Sequence, residues 1–374
     1  MTIHIFNPEH DIALAYGSEN FTPPHAARQL RNGLCFLPAL WADDGDIILV
    51  DDAEFARKAM ESHNLPMAKV TFFEPEPLRK ILDNINDGAA IDIDVWGWDA
   101  AIRRQLLNAG VKEDCMPTAQ QVETIRLLSH RQTAVNMIAD IRRWAMEEAL
   151  TDLSTLIVGE ASIETSMDVI LHRINIWKHI VLKAPWSSSG RGIRYVNGEL
   201  TKSQRGWAEN ILRQQGSIIV EPYYNKVYDF GMEFYIDAED NTNYAGLSLF
   251  STEHGAYCGS IVDQEENKME ILSKYISEEL IFAVRRKLQS LLSLRLAGKY
   301  QGPLGVDMMV VADEANNHFC LHPCVEINLR RTMGHVAIAL TPSKDIPRKL
   351  MRITNNVNAE LRFSYMENNF VMTV

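Results

Sequence analysis

The sequence has no long uninterrupted apolar run. Nowhere do about eighteen apolar residues follow one another, which is the length that a membrane-spanning helix needs. We therefore expect no contact with a membrane. The first dozen residues also lack a basic segment followed by an apolar one, and the polar residues Glu9, His10 and Asp11 occur there instead. We expect no secretory signal peptide.

Cysteine and basic charge are both scarce. Five cysteines among 374 residues are an odd number for a disulfide framework, so we predict reduced thiols and a cytoplasmic protein. The net charge of −12 would repel a nucleic-acid backbone, although a local cationic cleft could still hold a small anion. The apolar and charged fractions, 46% and 23%, indicate a folded chain, and its length predicts more than one domain.

Several common signatures are also absent. There is no G-x-x-x-x-G-K-[ST] phosphate loop, and Gly190-x-Gly192 lacks the third glycine of a dinucleotide fingerprint. No Gly-x-Ser-x-Gly elbow occurs to support a serine hydrolase. Any nucleotide chemistry must therefore use another arrangement of residues.

The first hundred residues alternate between β-prone and helix-forming stretches. Strands are predicted at 2–6, 46–50, 70–73 and 91–96, with helix-forming stretches at 53–63 and 77–84. This alternation predicts a small parallel α/β domain over residues 1–115, whose ligand edge lies at the carboxyl ends of the strands. The loop Asn7–Asp11 follows the first strand and falls at that edge.

A second pattern follows the linker at residues 115–118. A long helix is predicted at 120–148 and another at 278–296. Strands are predicted at 179–184, 217–221, 231–237, 244–250, 306–312 and 319–327.

The segment Ile180–Arg194 contains the first candidate phosphate site. A β-branched run ends at Lys183, and small residues follow, which allow backbone N–H groups to approach phosphate oxygens closely. A flexible hairpin with an incidental lysine explains the pattern equally well. The residues of this loop are Ser187, Ser188, Ser189, Gly190, Arg191 and Gly192.

The segment Cys320–Arg331 contains a candidate metal site. Glu326 and Asn328 lie two residues apart, so on a strand they point to the same face. Their oxygens suit a hard cation such as Mg2+. Asp307 interrupts an apolar strand, and a buried carboxylate needs a cation or a donor. The alternative is a strand end where these polar residues reach solvent.

A third segment, Ser217–Tyr224, runs from an apolar strand into Glu221, Pro222 and Tyr223. Its backbone could pair with a nucleotide base, or the strand could simply enter a turn, since Pro222 has no N–H to donate.

In this order, the three segments resemble the ATP-grasp superfamily of carboxylate-amine ligases, over about residues 116–374. Lys183 and its loop are similar to the lid of the biotin-carboxylase type, although serines replace most of the loop glycines. Residues 219–224 resemble the adenine hinge, and Asp229 matches an acid that often follows it. Asp307, Glu326, Asn328 and Arg330 resemble the family's metal ligands and phosphate-binding arginine.

The resemblance implies a fold and a reaction. The expected fold is α/β and α+β: an N-terminal parallel α/β domain, a lid subdomain at about 150–222 and a C-terminal subdomain at about 223–374. Mg2+ and ATP would activate a small-molecule or peptide carboxylate as an acyl phosphate for attack by an amine, with Lys183 and Arg330 as catalytic residues. A kinase of the same fold, or a non-catalytic nucleotide-binding protein, is the alternative.

Other candidates are weaker. Arg131 stands where relatives carry a first phosphate lysine, and it is assigned to the nucleotide. His10, Asp11, Arg331 and Gly334 are assigned to the acceptor substrate, although His10 and Asp11 could equally form a structural hydrogen bond. A zinc set is disfavoured because Pro323 interrupts it and neighbouring strand positions rarely close a tetrahedron. Its members would be His318, Cys320, His322 and Cys324.

Overall fold

The computed structural model describes residues 1–63, 65–82, 91–147, 155–187, 192–253, 255–313, 317–342, 347–355 and 359–365. In this part of the chain the strands form three sheets. No helix among these residues is long and apolar enough to cross a membrane.

The N-terminal sheet is parallel, with the order β3-β2-β1-β4. Its apolar residues face the helices that connect the strands, and Ile3, Ile5, Val95 and Leu106 form part of one core. Its strands are β1 (Thr2–Ile5), β2 (Ile47–Leu49), β3 (Thr71–Phe73) and β4 (Asp92–Val95). Its helices are α1 (His10–Tyr16), α2 (His25–Gly33), α3 (Ala53–Glu61), α4 (Pro75–Leu82) and α5 (Ala100–Asn108).

The second sheet is antiparallel, with the order β5-β8-β6-β7. Alternate residues of its strands, such as Ile180, Leu182 and Val220, pack against Ile170 and Ala208 of two covering helices. The strands are β5 (Ser162–Glu164), β6 (His179–Lys183), β7 (Ile193–Asn197) and β8 (Ile218–Pro222). The helices are α8 (Met167–Trp177) and α9 (Lys202–Gln215). We refer to this sheet as the lid sheet.

The third and largest sheet has the order β13-β12-β9-β10-β11-β14-β15, and we refer to it as the central sheet. Its strands are β9 (Lys226–Ile236), β10 (Thr242–Glu253), β11 (Ala256–Val262), β12 (Gly302–Asp313), β13 (His318–Asn328), β14 (Lys349–Asn355) and β15 (Ala359–Tyr365). The associated helices are α6 (Ala119–Leu128), α7 (Gln132–Glu147), α10 (Glu265–Leu272), α11 (Glu278–Leu296) and α12 (Met333–Ala339).

The predicted fold class is confirmed, and α11 covers the helix predicted at 278–296. The single helix predicted at 120–148 is wrong, because α6 ends at Leu128 and α7 begins at Gln132. Polar side chains at the break bond to the backbone: Ser129 donates to the Ile125 carbonyl at 2.8 Å, and Thr133 donates to Leu128 at 2.6 Å. Such bonds compete with helix propagation. The domain boundaries remain predictions.

Candidate nucleotide and metal site

The break between α6 and α7 places Arg131 between the lid sheet and the central sheet. Its guanidinium donates to Ser187 Oγ at 2.8 Å and to Glu326 Oε1 at 2.7 Å, and it also bonds to the carbonyl of Ala184. Arg131 is buried. The planar fork of an arginine suits such divergent partners, whereas a lysine presents a single point charge. A residue at a helix break thus joins the lid loop to the candidate metal site.

Asp307 and Glu326 are directly opposite each other on β12 and β13. Asn328 donates from Nδ2 to Asp307 Oδ2 at 3.1 Å. Burial, together with the nearby carboxylates of Glu326 and Glu233, raises the pKa of Asp307 to about 8. Two acids held this close repel each other unless a proton or a cation lies between them. The oxygen donors of Asp307, Glu326 and Asn328 therefore fit a hard divalent cation.

Arg330 connects these side chains to α1 near the N-terminus. Its Nε and Nη2 donate to the two carboxylate oxygens of Asp11 at 2.9 and 2.7 Å, and Nη2 also donates to Asn328 Oδ1 at 2.9 Å. Burial alone would raise the pKa of Asp11, but the Arg330 guanidinium lowers it below its ordinary value. This bidentate pair connects residues 319 positions apart in the chain.

Lys183 lies at the end of β6, where its ammonium is 2.6 Å from Glu221 Oε2 on the neighbouring strand β8. Both side chains are only 7% exposed. A buried ion pair of this kind is costly to break by removing one partner. A phosphate that binds Lys183 must therefore compete with, or share the ammonium with, Glu221.

The other predicted base contacts have partners within the fold. The N–H of Tyr223 donates to the His179 carbonyl at 2.9 Å, and Pro222 pairs with Ile180 across the lid sheet. Asp229 accepts from Lys226 and Thr252, both at 2.6 Å. All three residues are thus already bonded within the fold, and the N–H of Tyr223 is not left to donate to a base.

The ends of the predicted phosphate loop converge. A Cβ atom on Gly192 would lie 2.1 Å from Ser187 Oγ, so only glycine fits at this position. Ser188, Ser189, Gly190 and Arg191 lie outside the described residues.

No family model matches the chain, and no curated protein matches its sequence. Solved structures do match. The biotin carboxylase of Campylobacter jejuni, solved as a β,γ-ATP complex, is 13% identical, and the match covers 94% of this chain and 75% of that one with a TM-score of 0.51. The chain has the ATP-grasp fold. This confirms the fold predicted from the sequence.

Two further ATP-grasp structures overlap less well. The biotin carboxylase domain of Hydrogenobacter thermophilus 2-oxoglutarate carboxylase is 12% identical, with 94% and 74% of the two chains covered and a TM-score of 0.47. N5-carboxyaminoimidazole synthetase from Staphylococcus aureus is 10% identical, with 94% and 82% covered and a TM-score of 0.41. The assignment of the ATP-grasp fold does not depend on these two.

The residues predicted to contact the acceptor are distributed around the N-terminal side of the candidate site. His10 is 1% exposed, and its Nδ1 lies 3.3 Å from Asp99 Oδ2. Arg331 donates to Asp94 at 2.9 Å and stacks on Trp41 at 4.4 Å. Of the four candidates, Asp11 is bound to Arg330, and Gly334 lies against a buried carboxylate. His10 and Asp11 thus have separate hydrogen-bond partners, Asp99 and Arg330.

The buried carboxylate beside Gly334 belongs to Glu233, which the sequence analysis did not assign to the site. It accepts from Ser248 and Thr332, both at 2.8 Å, and His335 Nδ1 lies 3.1 Å away. Burial would raise the pKa of Glu233, but His335 and the two hydroxyls lower it. An acid in the apolar run of β9 was the available signal, by the same reasoning that identified Asp307.

Proposed function

We propose that this chain is an ATP-dependent ligase. It would use Mg2+ and ATP to convert a carboxylate into an acyl phosphate, which an amine then attacks to release ADP and phosphate. One observation carries the proposal: Arg131, Glu326, Asp307, Asn328 and Arg330 form a continuous row of contacts from the lid loop to the N-terminal domain. The ATP-grasp fold, and a biotin carboxylase of that fold solved as a β,γ-ATP complex, support the same reading.

The metal ligands in this proposal are Asp307, Glu326 and Asn328. Mg2+ binds few protein oxygens and keeps its other positions for phosphates and water, which suits two carboxylates and one amide. The raised pKa of Asp307 supports the assignment, because a carboxylate held this way gains most from a neighbouring cation. When bound, Mg2+ would neutralise charge on the triphosphate.

The positive side chains would hold the transferring phosphoryl group in place. Arg131 and Arg330 are fixed by their bonds to Glu326 and Asp11, so their charges are positioned before the nucleotide arrives. Phosphoryl transfer depends mainly on such positioning and on electrostatic stabilisation. Lys183 adds a third cation. No nucleophilic side chain is required, because the substrate carboxylate attacks the γ-phosphorus.

Hydroxylamine trapping tests the reaction. The purified chain is incubated with Mg2+, ATP and a panel of carboxylates, and ADP, phosphate and hydroxamate are measured together. A ligase intermediate is an electrophilic acyl phosphate, so hydroxylamine should yield a hydroxamate in step with ADP. A stable phosphorylated product without hydroxamate would indicate a kinase, and AMP with pyrophosphate would exclude this mechanism.

A matched pair of lysine variants tests the phosphate assignment. Lys183→Ala should lower the affinity for ATP about 10- to 100-fold, since hydrogen bonds to charged groups contribute about 1.5–3 kcal/mol. The affinity for adenosine, which has no phosphate, should stay nearly unchanged. Lys58→Ala is the control, because that lysine is 68% exposed. Equal losses for ATP and adenosine would show that Lys183 supports the fold rather than the phosphates.

A further inference from the structure

Three side chains that can bind a metal ion share one face at the end of the β12–β13 hairpin where β12 ends and β13 begins. Asp313 is paired with His318, and Val311 is paired with Cys320. Residues two apart on a strand point to the same face, and directly opposed residues do so as well. The register therefore brings Asp313, His318 and Cys320 together, at the opposite end of the hairpin from Asp307 and Glu326.

The side chains converge on one point. Cys320 Sγ lies 3.3 Å from His318 Nε2, and Asp313 Oδ2 lies 3.9 Å from the same nitrogen. The three ligand atoms all lie within 4.8 Å of one another. Bond lengths of roughly 2.0–2.3 Å around a tetrahedral ion separate its ligand atoms by about 3.3–3.7 Å. The distances of 3.3 and 3.9 Å to His318 Nε2 are close to these values.

The same geometry disfavours a cysteine nucleophile. In a Cys-His-Asp relay, the thiol and the carboxylate contact different nitrogens of the imidazole ring. Here both face Nε2 of His318. Burial and the neighbouring Asp313 also raise the pKa of the Cys320 thiol, which opposes formation of a free thiolate. A cation between the three atoms would reverse that effect, because coordination deprotonates a thiol.

We propose that Asp313, His318 and Cys320 form a binding site for a zinc-class divalent cation, with water in the fourth position. Mixed sulfur, nitrogen and oxygen ligands select such an ion, whereas the oxygen ligands of Asp307 and Glu326 select Mg2+. The side chains of Asp313 and His318 are 31% and 32% exposed, so the ion can enter from solvent.

The site differs from the zinc set considered in the sequence. His322 points to another environment, where its ring packs on Tyr224 at 5.5 Å and burial lowers its pKa to about 3. Cys324 is fully buried along the same strand. The third ligand comes instead from Asp313 on the opposite strand, which a pattern along one strand cannot reveal.

The position of the site indicates a structural role. The Cys320 thiol lies 3.8 Å from the Thr155 carbonyl, and Leu321 pairs through its backbone with Leu156 and Val158. The segment 155–158 runs into the lid sheet. A bound cation would hold the hairpin end beside this segment, so its removal should destabilise that contact without removing any nucleotide ligand.

Cobalt and zinc titrations of the chelator-treated protein test the proposal, with no nucleotide present. We expect one equivalent of Co2+ to bind with a thiolate-to-metal charge-transfer band, which Zn2+ then displaces. Removing a residue that only orients a metal ligand lowers metal affinity about 10- to 100-fold, and removing a direct ligand should lower it at least as much. Cys320→Ser should also abolish the charge-transfer band, and His318→Ala should weaken binding.

A control variant makes the result decisive. Cys258→Ser removes a thiol of another strand, β11, and should bind Co2+ as the parent protein does. The spectrum of the unsubstituted protein needs no variant, so misfolding of a variant cannot hide the answer. No charge-transfer band in the unsubstituted protein, or the same affinity in Cys320→Ser and Cys258→Ser, would overturn the site.

Discussion

The contact between Gly334 and Glu233 predicts a large effect from one methyl group. A Cβ atom at Gly334 would lie 2.0 Å from Glu233 Oε1 and 2.7 Å from Ser248 Oγ. The carboxylate cannot move away without losing its bonds to Ser248 and Thr332. We therefore expect Gly334→Ala to be strongly destabilising.

The magnitude follows from two costs. Overpacking a well-packed site costs about 1–3 kcal/mol, and each lost hydrogen bond to a charged group costs about 1.5–3 kcal/mol. Overpacking together with one lost bond gives roughly 2.5–6 kcal/mol, which should lower the Tm by about 5–24 °C in calorimetry, at roughly 2–4 °C per kcal/mol. Since Thr332 lies two residues from Arg330, affinity for ATP should fall as well.

Gly206 provides the matched control. It lies inside α9, and no atom within 4 Å would meet a Cβ there. Gly206→Ala should therefore stabilise the chain by about 0.5–1 kcal/mol. A double-mutant cycle identifies the cause. On a Glu233→Ala background, Gly334→Ala should lower the free energy of unfolding by less than half as much as it does in the unsubstituted protein. Equal costs on both backgrounds would refute the argument.

Three further predictions concern Asp307 and Arg131. Asp307 is protonated at pH 7 because its pKa is about 8, so Mg2+ binding should release a proton that calorimetry in two buffers detects, and Asp307→Asn should abolish this release. Because the folded-state pKa of Asp307 is raised, the metal-free protein should lose stability as pH rises from about 4 to about 8, and a flat profile would contradict this. Arg131→Lys should lower kcat/KM at least about tenfold in steady-state assays, because a lysine cannot replace its divergent bonds; unchanged kinetics would remove Arg131 from the site.

The sequence predicts most of the candidate metal site. Asp307 stands out as an acid in an apolar strand, and alternation along β13 places Glu326 and Asn328 on one face. Both signals are local, so they can be recognised in the sequence without knowledge of the tertiary fold. Glu233 carries the same kind of signal and could have been assigned to the site in the same way.

Other features depend on contacts that local patterns do not contain. The pairing of Arg330 with Asp11 joins α1 to the residues that follow β13, and the site at His318 needs Asp313 from a neighbouring strand. The helix break before Gln132 could not be predicted from residue type, because helices tolerate residues such as Ser129 and Thr133. Only the structure shows that their hydroxyls bond to the backbone there. His10 illustrates a further ambiguity, since the same residue at a strand end can bind a ligand or, as here, bond to Asp99.

The Arg330–Asp11 pair also affects the order in which the chain can fold during synthesis. Domains generally fold as units from the N-terminus, so the parallel sheet around β1 can form long before Arg330 has been synthesised. Until then Asp11 lacks the guanidinium with which it forms its bidentate pair. The last part of the central sheet must then dock on a preformed surface that already displays this carboxylate. A contact spanning 319 residues is therefore expected to form late in folding, after the individual sheets.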